Sequence, residues 1–503
     1  MEPAELNLVV LSGAGVLLVA VVAVRISSRL GLPSLLLYLG LGLLIGEAGL
    51  GLQFENADLT QVLGTLALAV ILAEGGFTTD WAVIRPVAPL AGVLATVGVA
   101  ISVAVTSGLV YLVLDVDLRT AILLGAVASS TDAAAVFAVL RSLPVRSRLR
   151  STVEAESGFN DPPVIILVTV VASDAWEDAS GIGLLGEIAV QLVLGVLLGA
   201  LVAWLGLRVL ARVALPASGL YPIATVAIAF LAFAVAGVAG GSALMAIYVA
   251  GVVLGNGALP HRGSTAGFAE GLAWLAQIGL FIMLGLLASP GRLWEALPYA
   301  LVVGGALTLV ARPVSVALCA TPFKMPWREQ AFVSWAGLRG AVPIVLATIP
   351  LSAGLPAAER IFDVVFLLVV IFTLVQGPSL PWVARATGAA GQENPRDVVI
   401  ESAPLDDLGA TLVQFTVAPG SRLAGVEIAE LRLTPRAAVS MVLRDGAVHT
   451  PSASTSLRVG DHVLVVAPRE DRRAIERRLR SVSASGRLAG WYATETRGRN
   501  EGS

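Results

Sequence analysis

The sequence predicts an all-α polytopic membrane protein that carries a small α+β domain at its C-terminal end. Three observations carry this. The 503 residues are 56% hydrophobic and 14% charged, with a mean hydropathy of +0.84, against roughly 25% charge in average soluble composition. Apolar runs of about 20 residues, the length of a membrane crossing, recur as far as about residue 385. From Gly388 the composition changes: Asn394, Arg396, Asp397, Glu401, Asp406 and Asp407 crowd together, and no further long apolar run follows.

Thirteen candidate spans lie at about 7–28, 33–51, 60–79, 88–114, 119–140, 157–175, 184–212, 221–238, 241–259, 269–289, 296–319, 329–351 and 361–385. The eighth and ninth share the short junction Gly237–Gly241 and read as two spans or as one bent element. The start, MEPAEL, has no basic region, and the apolar run after it outlasts that of a signal peptide. It reads as a first membrane helix with a short acidic tail outside. In that orientation fourteen Lys and Arg, among them Arg85, Arg146, Arg312 and Arg385, fall in inner loops or at inner span ends. The outer side holds three, Arg119, Arg292 and Arg360, and collects Asp115, Asp117, Asp174 and Glu177. This positive-inside bias predicts thirteen spans and a cytoplasmic C-terminus. The single cysteine, Cys319, lies in an apolar run; it excludes an intramolecular disulfide and argues against a cysteine metal site.

The C-terminal stretch alternates. Thr411–Val417, Ala438–Leu443 and His462–Val466 read as strands, separated by the turn pairs Pro419-Gly420, Asp445-Gly446 and Gly460-Asp461. A charged helix, Pro468–Val482, closes a domain over 398–482, and 483–503 reads as a disordered tail. Its arginines Arg472, Arg473, Arg477, Arg478 and Arg480 alternate with Glu470, Asp471 and Glu476, the pattern of a solvated face rather than a nucleic-acid surface.

Function is carried by the polar residues that interrupt the spans of residues 1–387. A bare charge at bilayer depth costs several kcal/mol unless water or a partner meets it. Val153–Pro163, VEAESGFNDPP, places Glu154, Glu156, Ser157, Asn160 and Asp161 ahead of an apolar run. If the span begins near Ser157, Pro162 and Pro163 sit in its first turns, where missing donors cost least. Span five holds Ser129-Ser130-Thr131-Asp132, which could break a helix and supply oxygen ligands to an alkali cation. Glu74 lies near the inner end of span three. Arg339 stands in mid-span twelve between Gly337 and Gly340; it neutralises a carboxylate such as Glu74, Asp132 or Glu156, or fixes the crossing of two broken helices. Two breakable helices in different halves of the chain point to inverted repeats with a midplane site. A carboxylate in a partly wet cavity binds a proton or a monovalent cation, and that competition defines an exchanger.

Glu156-Ser157-Gly158-Phe159-Asn160-Asp161 resembles the E-S-x-x-N-D motif of cation:proton antiporters of the NhaP and sodium/proton exchanger type. Thr131-Asp132 resembles their T-D-P, Gly337–Ala341 their G-L-R-G-[AI], and Glu74-Gly75-Gly76 their E-G-G. The resemblance implies a thirteen-helix inverted-repeat fold, a homodimer, and alternating access. It makes Asp161 the exchange carboxylate, with Thr131, Glu156 and Ser157 helping to coordinate the ion and Asp132 and Arg339 as supporting charges. Asn160 stands where electrogenic relatives have a second Asp, which implies electroneutral exchange. The family's Pro after Thr-Asp is Ala133 here, so the unwinding of span five rests on Ser129-Ser130 or on the fold. Residues 398–482 resemble the C-terminal RCK (TrkA-C) domain, and the combination is similar to bacterial potassium/proton antiporters of the NhaP group. That implies a bacterial inner-membrane protein exchanging K⁺, alternatively Na⁺, for H⁺ in ion and pH homeostasis. It also leaves room for a small-molecule regulator at the C-terminal domain.

Other classes find less support. A potassium channel wants a filter such as T-V-G-Y-G, and none occurs. An intramembrane enzyme is disfavoured by the absence of H-E-x-x-H and by three scattered histidines, His261, His449 and His462. There is no P-loop, no full G-x-G-x-x-G nucleotide unit, and no expected cofactor.

Overall fold

The computed structural model describes residues 3–30, 34–47, 49, 51, 56–132, 135–136, 140, 143, 145–177, 181–390, 400–405 and 410–486. It divides into a helical unit, Met1–Leu259 with Ser264–Ala390, and a second unit holding the C-terminal domain. The helical unit comprises α1 (Pro3–Leu30), α2 (Ser34–Ile45), α3 (Ala57–Thr78), α4 (Ala88–Val113), α5 (Leu118–Ser129), α6 (Ser147–Ala172), α7 (Gly181–Leu210) and α8 (Leu220–Val238). It continues with α9 (Ala243–Asn256), α10 (Arg262–Leu287), α11 (Pro290–Ala320), α12 (Trp327–Trp335), α13 (Ala341–Ser352) and α14 (Ala358–Thr387).

Helix occupies each of the thirteen apolar stretches. Among the described residues seven helices are by themselves long and apolar enough to cross a membrane: α3, α4, α7, α8, α10, α11 and α14. The eighth and ninth stretches are separate helices. Gly240, at φ +77°, makes the turn between them, and Ser242 caps α9 by accepting from the Met245 amide. A left-handed residue is cheap only for glycine.

The helices pack in two groups. In one, α3, α7 and α8 surround α9. The α3–α9 seam is closed by small residues: a Cβ on Gly251 would lie 2.5 Å from the Ala73 carbonyl oxygen. The other group contains two triplets with the same features in the same order. In each, a helix with a π turn (α4 at Leu94–Gly98; α11 at Ala306–Ala311) precedes an interrupted segment and then a long helix. The first interruption follows α5 and leads to α6; the second separates α12 from α13 and leads to α14. Two breakable helices in different halves therefore sit in matching places of a repeat.

The second unit is a five-stranded antiparallel sheet in the order β1-β2-β5-β3-β4. The strands are β1 (Ile400–Leu405), β2 (Ala410–Thr416), β3 (Ala438–Arg444), β4 (Ala447–His449) and β5 (His462–Pro468). Val413 and Phe415 of β2 and Val463 and Val465 of β5 alternate into the core, where Ile475, Leu479 and Val482 of α15 (Arg472–Ser485) join them. Period-two alternation on strands and a three-to-four spacing on the helix are what one shared apolar layer requires. The Asp445-Gly446 turn has φ +50° and +79° and joins β3 to β4, the positive-φ pair of a two-residue hairpin. β1 and β4 carry too little alternation to be read from sequence. The expected tail at 483 begins inside α15, and residues 487–503 lie outside the described residues, as do Asn394, Arg396 and Asp397.

Candidate ion-exchange site

The site forms where the two interruptions meet. α5 stops at Ser129, and Ser130 is extended at φ −63°, ψ 139°. The Asp132 amide donates to the Leu338 carbonyl at 3.0 Å, joining the break after α5 to the break between α12 and α13. The Asp132 carboxylate accepts from the Ala341 amide at 2.8 Å, at the first turn of α13, and from the Ala135 amide at 3.4 Å. One buried anion thus meets amides at the starts of both helical segments that follow the breaks, where helix N-termini favour negative charge. Gly340 is needed for this approach: a Cβ there would lie 1.8 Å from Asp132 Oδ2. The helix break, which the family's Pro would impose, rests here on this crossing; Ala133 itself lies outside the described residues.

α6 begins at Ser147, so Pro162 and Pro163 lie inside it rather than in its first turns. Missing amides at Pro162 and Pro163 leave the carbonyls of Gly158 and Phe159 without their i+4 donors, beside the motif. Glu156, Ser157, Asn160 and Asp161 are all at most 1% exposed. Ser130 Oγ donates to Asp161 Oδ1 at 2.7 Å, and Asn160 Nδ2 donates to Thr131 Oγ1. Ser157 Oγ and Asn160 Oδ1 are buried oxygens without a hydrogen-bond partner. Buried polar atoms are almost always partnered, so two orphaned oxygens beside a carboxylate fit a cation as the missing partner. An alkali cation favours such an all-oxygen set.

Glu156 does not join this set. Arg312 of α11 binds it in a fork, Nη1 to Oε1 at 2.6 Å and Nη2 to Oε2 at 3.2 Å, with both side chains at most 4% exposed. The charge pattern puts Arg312 among the inner span-end charges; the structure makes it a buried partner instead. The signal was present, because Arg312 stands seven residues inside the run 296–319, about 10 Å at helical rise. Arg339, 2% exposed, donates to the Gly337 carbonyl at 3.2 Å and lies 5.9 Å from the Phe372 ring. It sits at the helix crossing within electrostatic reach of Asp161. The expected neutralisation of Glu156 is therefore performed by Arg312. Glu74 is elsewhere: with Phe77, Thr225, Gly251 and Thr265 it lines a separate pocket among α3, α8, α9 and α10.

Fold and site together are those of a polytopic helical protein with buried oxygens gathered at a crossing of two broken helices. The family model for the transmembrane sodium/hydrogen exchanger matches residues 16–386, and that for the TrkA-C domain matches residues 412–480. The chain belongs to the sodium/hydrogen exchanger family. It is 35% identical to a K⁺/H⁺ antiporter NhaP2 of Shewanella oneidensis, over 94% of this chain and 84% of that protein. It is also 35% identical to a K⁺/H⁺ antiporter NhaP of Alkalimonas amylolytica, over 95% of this chain and 84% of that protein. Among solved structures the fold matches the sodium proton antiporter MjNhaP1 of Methanocaldococcus jannaschii, with a TM-score of 0.66 and 22% identity, over 76% of this chain and 99% of that one.

Proposed function

We propose that this protein exchanges K⁺ for H⁺ across a bacterial plasma membrane, one for one, at Asp161. The observation that carries the reading is the cluster of orphaned oxygens at a buried carboxylate whose cation is supplied by the solution. The charge count supports the stoichiometry. Asp132, Glu156 and Asp161 set against Arg312 and Arg339 leave 3 − 2 = 1 formal negative charge in the cluster, the amount one proton or one monovalent cation neutralises. Asn160 adds none. Burying that charge empty is costly, so the crossing is favoured for the occupied site, which is the condition for obligatory exchange.

Potassium rests on the relatives named K⁺/H⁺ antiporters and on the TrkA-C domain; the ligand types alone serve Na⁺ equally. The remaining parts of the reading are thirteen crossings, an outside N-terminus, a cytoplasmic C-terminal domain that binds a small regulator, and a homodimer. Positive-inside charge and the family resemblance support them. The test is fluorescence dequenching of a pH probe in everted vesicles, with K⁺ and Na⁺ added separately. Dequenching by K⁺ supports the reading; dequenching by Na⁺ alone replaces the cation and keeps Asp161; no dequenching by either overturns it.

A further inference from the structure

Motif and resemblance put Thr131 forward as the ligand that the broken segment after α5 contributes. The atoms are distributed differently. Thr131 Oγ1 accepts from the Asn160 side-chain amide, which ties the break to α6 and uses one of its two lone pairs. Ser130 is the residue whose hydroxyl reaches the carboxylate, at 2.7 Å from Asp161 Oδ1. It is fully buried, and the extended backbone at the end of α5 fixes its direction.

We propose that Ser130 is the residue through which the interrupted helix contacts the transported cation, and that it sets the cation affinity and K⁺/Na⁺ preference of the site. The inference rests on the reading of Asp161 as the exchange carboxylate. A serine hydroxyl has one proton and two lone pairs. With its proton directed at Asp161, its lone pairs have no donor among the described residues. Ser157 Oγ and Asn160 Oδ1 have no partner either, and Ser157, one helical turn before Asp161, lies on the same face of α6. In this proposal Ser130, from the break after α5, joins Ser157 and Asn160 of α6 as the neutral oxygens offered to a cation at Asp161. A ligand on a separate helix fixes the width of the site, and width is what distinguishes cations that share ligand chemistry.

The experiment is cation-driven proton exchange by the full-length protein in proteoliposomes, titrated with K⁺ and with Na⁺. Ser130→Ala is expected to raise the half-saturating cation concentration about tenfold or more, from the loss of one hydrogen bond to a charged group. It should move the K⁺/Na⁺ ratio at least threefold and lower the maximal rate less than the affinity. Ser130→Thr, which keeps the hydroxyl, should recover most of the affinity, and Thr131→Ala should shift half-saturation less than Ser130→Ala. A structural role alone would lower protein yield and maximal rate but leave the ratio in place. If Ser130→Ala does not reach the membrane, the nearly isosteric Ser130→Cys gives the same readings. Native half-saturation and ratio in these variants, with Asp161→Asn inactive, overturn the role of Ser130. Native exchange by Asp161→Asn overturns the reading beneath it.

Discussion

The Arg312–Glu156 pair offers the sharpest structural test. Arg312 contacts three oxygens: both carboxylate oxygens of Glu156, at 2.6 and 3.2 Å, and the Val333 carbonyl at 3.3 Å. Both side chains are at most 4% exposed. Removing one member of a buried pair strands the other charge, at a cost of roughly 3–5 kcal/mol, whereas removing both costs much less. Arg312→Leu and Glu156→Gln should therefore each destabilise the membrane domain strongly. With an unfolding entropy of about 2.1 cal/mol/K per residue over the membrane domain, this is a loss of about 4–6 °C in melting temperature. The double variant should lose much less than the sum of the two single losses. The assay is thermal unfolding of the four proteins in one detergent, read as a double-mutant cycle. Additive losses, or a loss under 1 °C for either single variant, would refute the pairing and return Arg312 to the membrane edge.

Three further outcomes are expected. Gly340→Ala would drive a methyl into Asp132 Oδ2, so the crossing must shift; exchange should fall at least tenfold with the protein still in the membrane, measured as initial rate per mole of protein. Gly446→Val places a β-branched residue at φ +79° and should destabilise the C-terminal sheet by about 1–2 kcal/mol, read as lost hydrogen-exchange protection of β3 and β4 in the full-length protein. In the same domain burial pushes the Asp461 carboxyl up, and hydrogen bonds from Arg444 and the Arg458 amide more than offset it, holding it below the ordinary range. A carboxyl lowered in the folded state adds stability above its unfolded value, about 3.9, and that stability is lost as pH falls through the folded value. Protection of β5 should thus be constant from pH 7 to about pH 5 and decline below about pH 4, and Asp461→Asn should remove most of that decline.

Much of this was legible because the membrane makes periodicity simple. Long apolar runs located the stretches that the described helices occupy, and Gly-flanked or hydroxyl-rich interruptions placed both breaks. Alternation and paired turn residues placed β2, β3 and β5. What escaped reading depended on where a side chain's partner lies. Arg312 lies deep enough in its apolar run to suggest burial, but that Glu156 is the carboxylate it meets is decided only by where α11 and α6 lie in the fold. Glu156 likewise reads as a ligand until its fork with Arg312 is seen. The start of α6 was misplaced because its first turns, Ser147–Glu156, carry Arg148, Arg150, Glu154 and Glu156, which a hydropathy reading assigns to a loop. Which of Ser130 and Thr131 reaches Asp161 is not legible either, because a helix break reorients neighbouring residues in ways no spacing rule describes.

The central claim is that one carboxylate serves both ions. It is tested most directly by comparing the native protein with Asp161→Asn in proteoliposomes at matched protein amounts, following proton movement on addition of K⁺ and then of Na⁺. Cation-driven proton movement is expected in the native protein and none above empty liposomes in Asp161→Asn, with the variant folded as judged by its melting temperature. Exchange by Asp161→Asn at the native rate would contradict it.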